Sequence, residues 1–135
     1  MPARLTQRLA RVWAPAFHPW IVATCLLALV VSDTWLIATT DVVRTFGSVR
    51  LDSTLILFIG AMVLVSTLFH ELGHAAATRY GGATPGEIGV AVYIVYPAFY
   101  TNVTDAYRLN RAGRVRTDLG GVYFAQRRFA AAVVQ

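Results

Sequence analysis

TLILFIGAMVLVSTLFHELGHAAATRYGG, residues 54–82, is a long apolar run that closes on two imidazoles, a carboxylate and a pair of glycines. Read as a helix from 54 to 80 it is about 40 Å long at 1.5 Å per residue, enough to cross the hydrocarbon of a bilayer and protrude. His70 and His74 are four residues apart, close to one turn, so both rings point the same way and reach a single metal ion. Glu71 lies about a quarter-turn round from His70, where its carboxylate can hold a water beside that ion and act as general base. His-Glu-x-x-His is on these grounds a zinc hydrolase pattern, with His70 and His74 as metal ligands, Glu71 as the catalytic residue and zinc as the expected cofactor. The plainer reading is a pair of core histidines with a salt-bridging glutamate. Location counts against it, because ionisable groups at the end of an apolar span are costly unless they serve something.

The turn pattern of this helix agrees with a site. Ser66, Thr67, His70, Glu71, His74, Ala77 and Thr78 fall on one small or polar stripe, with Val65, Leu68, Leu72 and Ala76 opposite. The stripe is expected to face protein or water, and its back lipid or apolar neighbours. Asp52 or Ser53 can cap the start by accepting from free backbone N–H groups. Gly81-Gly82 ends the helix, since glycine takes the left-handed conformation after a last turn.

Composition places the rest of the chain. Its 135 residues make one domain at most, and they are 56% hydrophobic and 14% charged, which is too apolar for an ordinary soluble domain of this size. The class expected is an integral α-helical membrane protein. All twelve basic residues are arginines, and the net charge of +5 is no sign of nucleic-acid binding because they flank the apolar segments. Cys25 is the single cysteine, which rules out a disulfide within the chain.

Upstream, Arg4, Arg8 and Arg11 alternate with Leu5, Leu9 and Val12 at helical spacing, the pattern of a short amphipathic helix on a membrane surface. His18-Pro19 breaks it, and a first span runs from about Trp20 to Ala38, flawed by Asp33 and flanked by Trp20 and Trp35. A cleaved signal peptide is the rival reading of this segment, without a small-x-small cleavage site to support it. The second span is taken as 54–78. Between the two lies a polar loop holding only Arg44 and Arg50, against Asp41 and Asp52. Arg4, Arg8 and Arg11 precede the spans and Arg79, Arg108, Arg111, Arg114 and Arg116 follow them, so both ends are expected in the cytoplasm and the metal site toward the cytoplasmic face.

After Pro85-Gly86, residues 88–96 are rich in β-branched and aromatic side chains and read as one extended strand near the cytoplasmic interface, stopped by Pro97 or marked by it as an edge. An edge strand beside a protease site can hold a substrate peptide extended through main-chain hydrogen bonds. A plain structural hairpin is the equal alternative. Tyr93, Tyr96, Phe99 and Tyr100 suit the headgroup level, and a cytoplasmic position empties the Asn102-Val103-Thr104 glycosylation sequon of meaning. From Asp105 onward the arginine density reads as a surface helix or loop against lipid headgroups. An apolar start at 120–124 is interrupted by Arg127-Arg128, so no third crossing is expected.

Three passages, HELGHAAATRYGG, EIGVAVYIVYPAFYTNVTDAYRL and GRVRTDLGGVYF, resemble the site-2 protease family of intramembrane zinc metalloproteases, and within it the bacterial peptide zinc metalloprotease branch. The likeness covers roughly residues 55–124. It implies that His70 and His74 bind zinc, that Glu71 is the general base, and that the substrate is a membrane-near protein or a precursor peptide in a bacterial cell membrane. It also implies a third ligand, the aspartate of a Leu-Asp-Gly motif on a later helix, and no such motif stands in this sequence. Asp105 is the nearest candidate, ahead of Glu87 and Asp118. The missing ligand implies that the chain is the N-terminal part of a longer, truncated metalloprotease domain. The partners expected are thus zinc, a protein or peptide substrate and the lipid bilayer. The alternatives are an inactive truncated remnant and a non-catalytic membrane accessory protein that uses the histidines structurally.

Overall fold

The computed structural model describes residues 1–39, 41, 52–93 and 96–133, and among these it has four α-helices and one two-stranded sheet. The inter-helix loop, with Arg44 and Arg50, lies outside the described residues apart from Asp41 and Asp52, as do Ile94 and Val95 of the expected strand. Helix α1 spans Ala3–Trp13, and a 3-10 turn at Ala14–Phe17 leads into α2, Pro19–Thr39. Helix α3 spans Ser53–Tyr80. Strands β1 (Ile88–Tyr93) and β2 (Tyr96–Thr101) follow, and a second 3-10 turn at Thr104–Arg108 precedes α4, Arg111–Val133.

Helices α2 and α3 are both long and apolar enough to cross a membrane, and they match the expected spans at 20–38 and 54–78 within two residues at each end. None of the residues of α2 is buried against the rest of the chain. The start of α3 is held as its sequence requires: the Asp52 carboxylate accepts from the Leu55 N–H at 2.7 Å, covering one of the donors that a first helical turn leaves free. At its end the Ala83 N–H reaches back to the Thr78 carbonyl at 3.1 Å, and Gly82 takes the left-handed φ of +93° that this reversal needs.

The core sits where the first 3-10 turn, α3 and α4 meet. Ala16 and Phe17 pack there against Ala76 and Ala77 of α3 and Tyr123 and Phe124 of α4. The Phe17 ring stacks on Phe124 with centroids 5.4 Å apart and meets Tyr123 edge-on at 5.3 Å. The Tyr123 hydroxyl donates to the Ala16 carbonyl at 3.0 Å, so the polar tip of a buried aromatic is satisfied.

Three elements differ from the sequence expectation. The C-terminal stretch expected as a surface helix or loop is a helix packed along α3, its most extensive neighbour. Gly113, Thr117, Gly120, Gly121 and Phe124 form its buried stripe, three or four residues apart, with the arginines Arg111 and Arg114 left exposed. A Cβ added at Gly73 would run into the Gly120 carbonyl, and one added at Gly120 would stand 2.8 Å from the Gly73 carbonyl. The pair is bare so that the two backbones can touch.

In α1 the face turned to the protein is the small one. Thr6 and Ala10 are fully buried, while Leu5 and Val12 of the expected apolar stripe remain exposed. The amphipathic pattern is real, but of its large residues only Leu9, half-buried, and Trp13, edge-on to Phe124 at 5.8 Å, turn toward the protein, and the closest approach is made through the small ones.

The expected single strand is a hairpin that continues past its proline. Strand β1 pairs antiparallel with β2, Pro97 facing Val92 and Ile88 facing Thr101. Antiparallel pairs alternate between hydrogen-bonded and non-bonded, so Val92 and Ile88 share one parity. The Ile88 carbonyl accepts from the Met1 amine at 2.5 Å, which puts that parity outward and sets Pro97, without an N–H, where the ladder asks for none. Val90 and Val92 therefore direct their backbone groups away from β2, and both side chains are exposed.

Candidate metal centre

The two histidines project from the last third of α3 toward α4. Their Nε2 atoms lie 3.1 Å apart with the rings nearly perpendicular. With Glu71 they form the group whose ligand atoms all lie within 4.8 Å of one another. All three side chains are partly accessible, so the group is neither sealed in the core nor left on an open surface.

Backbone carbonyls and hydroxyls hold this turn in place. The His74 Nδ1 stands 2.7 Å from the carbonyl oxygen of Thr117 on α4. A carbonyl only accepts, so Nδ1 is the donor in this contact, which in the neutral ring leaves the lone pair on Nε2. This second contact fixes both the tautomer and the ring orientation, as ligating histidines require. The Thr78 hydroxyl donates to the His74 carbonyl at 2.8 Å, and the Thr101 hydroxyl at the end of β2 donates to the Glu71 carbonyl at 2.9 Å. The hairpin is thereby tied to the same turn that carries the glutamate.

These residues fit a zinc ion at two positions. Two bonds of about 2.0–2.1 Å at a tetrahedral angle place ligand nitrogens about 3.3–3.4 Å apart, so the observed 3.1 Å needs an opening of only about 0.3 Å. A catalytic zinc takes three protein ligands and keeps one open position. Among the described residues only Glu71 joins the histidines, and a carboxylate acting as base is not free to be the third ligand.

The other candidates stand elsewhere. Asp105 lies in the second 3-10 turn, where one oxygen accepts from the Thr84 N–H at 2.8 Å and the other from Arg108 at 3.3 Å. The Thr84 hydrogen bond, aided by Arg108, holds its carboxyl below the usual value against a smaller opposing cost of dehydration. Its work is to pin the loop after α3, and it does not join the histidine group. Glu87 and Asp118 are exposed and do not join it either.

Two parts of the site were not expected from the sequence. The Thr117 carbonyl carries no side-chain signature. Gly121 lies against both imidazoles, and the Gly120-Gly121 pair within an apolar helical stretch is the one sign that could have shown a close approach. No protein-family model, curated protein or solved structure matches the chain.

Proposed function

We propose that this chain is the catalytic part of a membrane-embedded zinc metalloprotease, with His70 and His74 as ligands and Glu71 as general base. The convergence of the two Nε2 atoms at 3.1 Å, with the Glu71 carboxylate in the same group, carries this reading. A bound zinc supplies an acidified water and polarises the scissile carbonyl. Glu71 takes the proton of the attacking water and returns it to the leaving amine. His74, locked by Thr117, keeps its lone pair on the metal side throughout.

Membrane insertion of α2 and α3 belongs to the same proposal. Large apolar side chains on every side of α3, such as Leu57, Phe58 and Val63, are more than half exposed. Such a surface needs lipid or further protein around it. Arginines at both ends set the N-terminus and the metal centre on the cytoplasmic side. The substrate is a membrane-near segment or precursor peptide that adds along the outward edge of β1 at Val90 and Val92, in a hairpin anchored to the Glu71 turn through Thr101.

Glu71→Gln tests the chemistry. Zinc content should be unchanged and peptide cleavage abolished; cleavage at the native rate removes Glu71 from the mechanism. One observation favours a second reading, a chain that holds metal without hydrolysing peptides: the group offers two imidazoles and one carboxylate, all from a single helix turn. That reading predicts bound zinc with no cleavage in the native chain, as in a remnant or a non-catalytic membrane partner.

A further inference from the structure

Helix α4 comes nearest to the imidazoles at Gly121, and a side chain there would have no free space. A Cβ built on Gly121 lies 2.6 Å from the His70 Nε2 and closer still to the His74 Nε2. A zinc ion shared by those nitrogens stands about 2.0–2.1 Å from each. A methyl group at position 121 would therefore crowd the volume that the ion needs. Gly120 is bare for a different reason, since its Cβ would meet Ala77 and the Gly73 backbone instead. One turn before Gly121, the same face of α4 offers the Thr117 carbonyl to His74.

We propose that α4 is a working part of the metal centre: the Thr117 carbonyl positions His74, and the missing side chain of Gly121 leaves the ion its room. This rests on the metal reading above and deepens it, because metal affinity then depends on the register of α4 along α3 as well as on the ligands. The Thr117 side chain is not the positioning group. Its hydroxyl donates to the Gly113 carbonyl at 3.1 Å within α4, and the hydrogen bond from His74 goes to the main chain. A slip of α4 that brings Val122 into the place of Gly121 would carry a side chain against the imidazoles.

The test is a titration of the full chain in detergent with zinc, and with cobalt(II) as a spectroscopic probe, for the native protein, Gly121→Ala and Gly60→Ala. Gly121→Ala should weaken zinc binding by about tenfold or more and change the cobalt spectrum. Gly60→Ala adds its methyl in open space and should bind as the native chain does. Nitrogen-15 shifts of His74 in the native chain should show a protonated Nδ1 and a bare Nε2. Native affinity and an unchanged cobalt spectrum in Gly121→Ala overturn the role of Gly121, and a proton on Nε2 overturns the role of Thr117. If the Gly121→Ala variant does not fold, the tautomer measured on the native chain decides the role of Thr117, and broadening of the Gly121 Hα signal by bound cobalt(II), expected if the ion lies beside it, decides that of Gly121, its absence overturning that role. A native chain without affinity for zinc defeats the metal reading itself, which the native titration separates from a failure confined to α4.

Discussion

The two parts of α3 live under opposite rules. From Ser53 to Leu68 the helix carries Leu, Ile, Phe, Val and Met, nearly all of them exposed, and a Cβ added at Gly60 would meet nothing within 4 Å. From Gly73 to Thr78, His74 apart, it carries Ala, Gly and Thr, with Ala75, Ala76, Ala77 and Thr78 fully buried. Large residues face outward where the chain supplies no neighbours, and small ones let α1, the first 3-10 turn and α4 close in where it does. A metal centre needs the second kind of surroundings, because its ligands hold their geometry only when backbone on another element is near enough to fix them. The histidines sit just where that close packing begins.

This contrast can be broken from either side. Phe17, 5% exposed and stacked on Phe124, belongs to the packed end, and Phe17→Ala should cost about 3–5 kcal/mol in stability. Phe58, 62% exposed, belongs to the other. Phe58→Ala should leave stability in detergent nearly unchanged while weakening partition into bilayers, read by denaturant unfolding and by vesicle flotation. Equal losses for the two would mean that the exposed end has packing partners of its own.

A smaller effect is expected from glycine replacement. Gly73→Ala places its methyl against the Gly120 carbonyl and 2.8 Å from the Phe124 Cβ, which forces α3 and α4 apart at a cost of about 1–3 kcal/mol. Gly60→Ala should be neutral or slightly stabilising, since alanine is the better helix former. Melting temperatures of the two variants check the difference.

The smallest effect lies at the loop that follows the packed end. Asp105 has its carboxyl held below the usual 3.8, chiefly by the Thr84 N–H. A depressed value means that the ion is favoured in the folded chain, so its contribution is complete above the unfolded value and fades as pH falls through the folded one. The protection of the Thr84 amide, its exchange rate taken relative to the intrinsic rate at each pH, should fall as the medium is acidified below that usual value, and Asp105→Asn should remove that pH dependence. A loss of protection on acidification that persists in the asparagine variant would assign the effect to another group.

Much of this was legible in the sequence because it depends on local rules. The apolar run, the Asp52 cap, the glycine stop and the His-Glu-x-x-His spacing each follow from a few neighbouring residues. The partner of a helix face does not. Gly73 and Gly120 both announce a close approach, but only the fold shows that they approach each other, and that this brings the Thr117 carbonyl to His74. Pro97 read as a strand stop because proline lacks an N–H, and it is tolerated because the register sets it opposite Val92 at a non-bonded pair. In α1 the leucines carry the amphipathic pattern, whereas the fully buried residues are Thr6 and Ala10. Asp105 is the nearest candidate for a third ligand by its place in the chain alone, and its oxygens are taken by Thr84 and Arg108.

The central claim is that one metal ion belongs between His70 and His74. Zinc measured on the detergent-purified chain, dialysed against trace metal, tests it most directly: about one ion per chain is expected, falling to none in His70→Ala and in His74→Ala while helix content persists. A native chain with no bound ion, or alanine variants that keep the native amount, would contradict it.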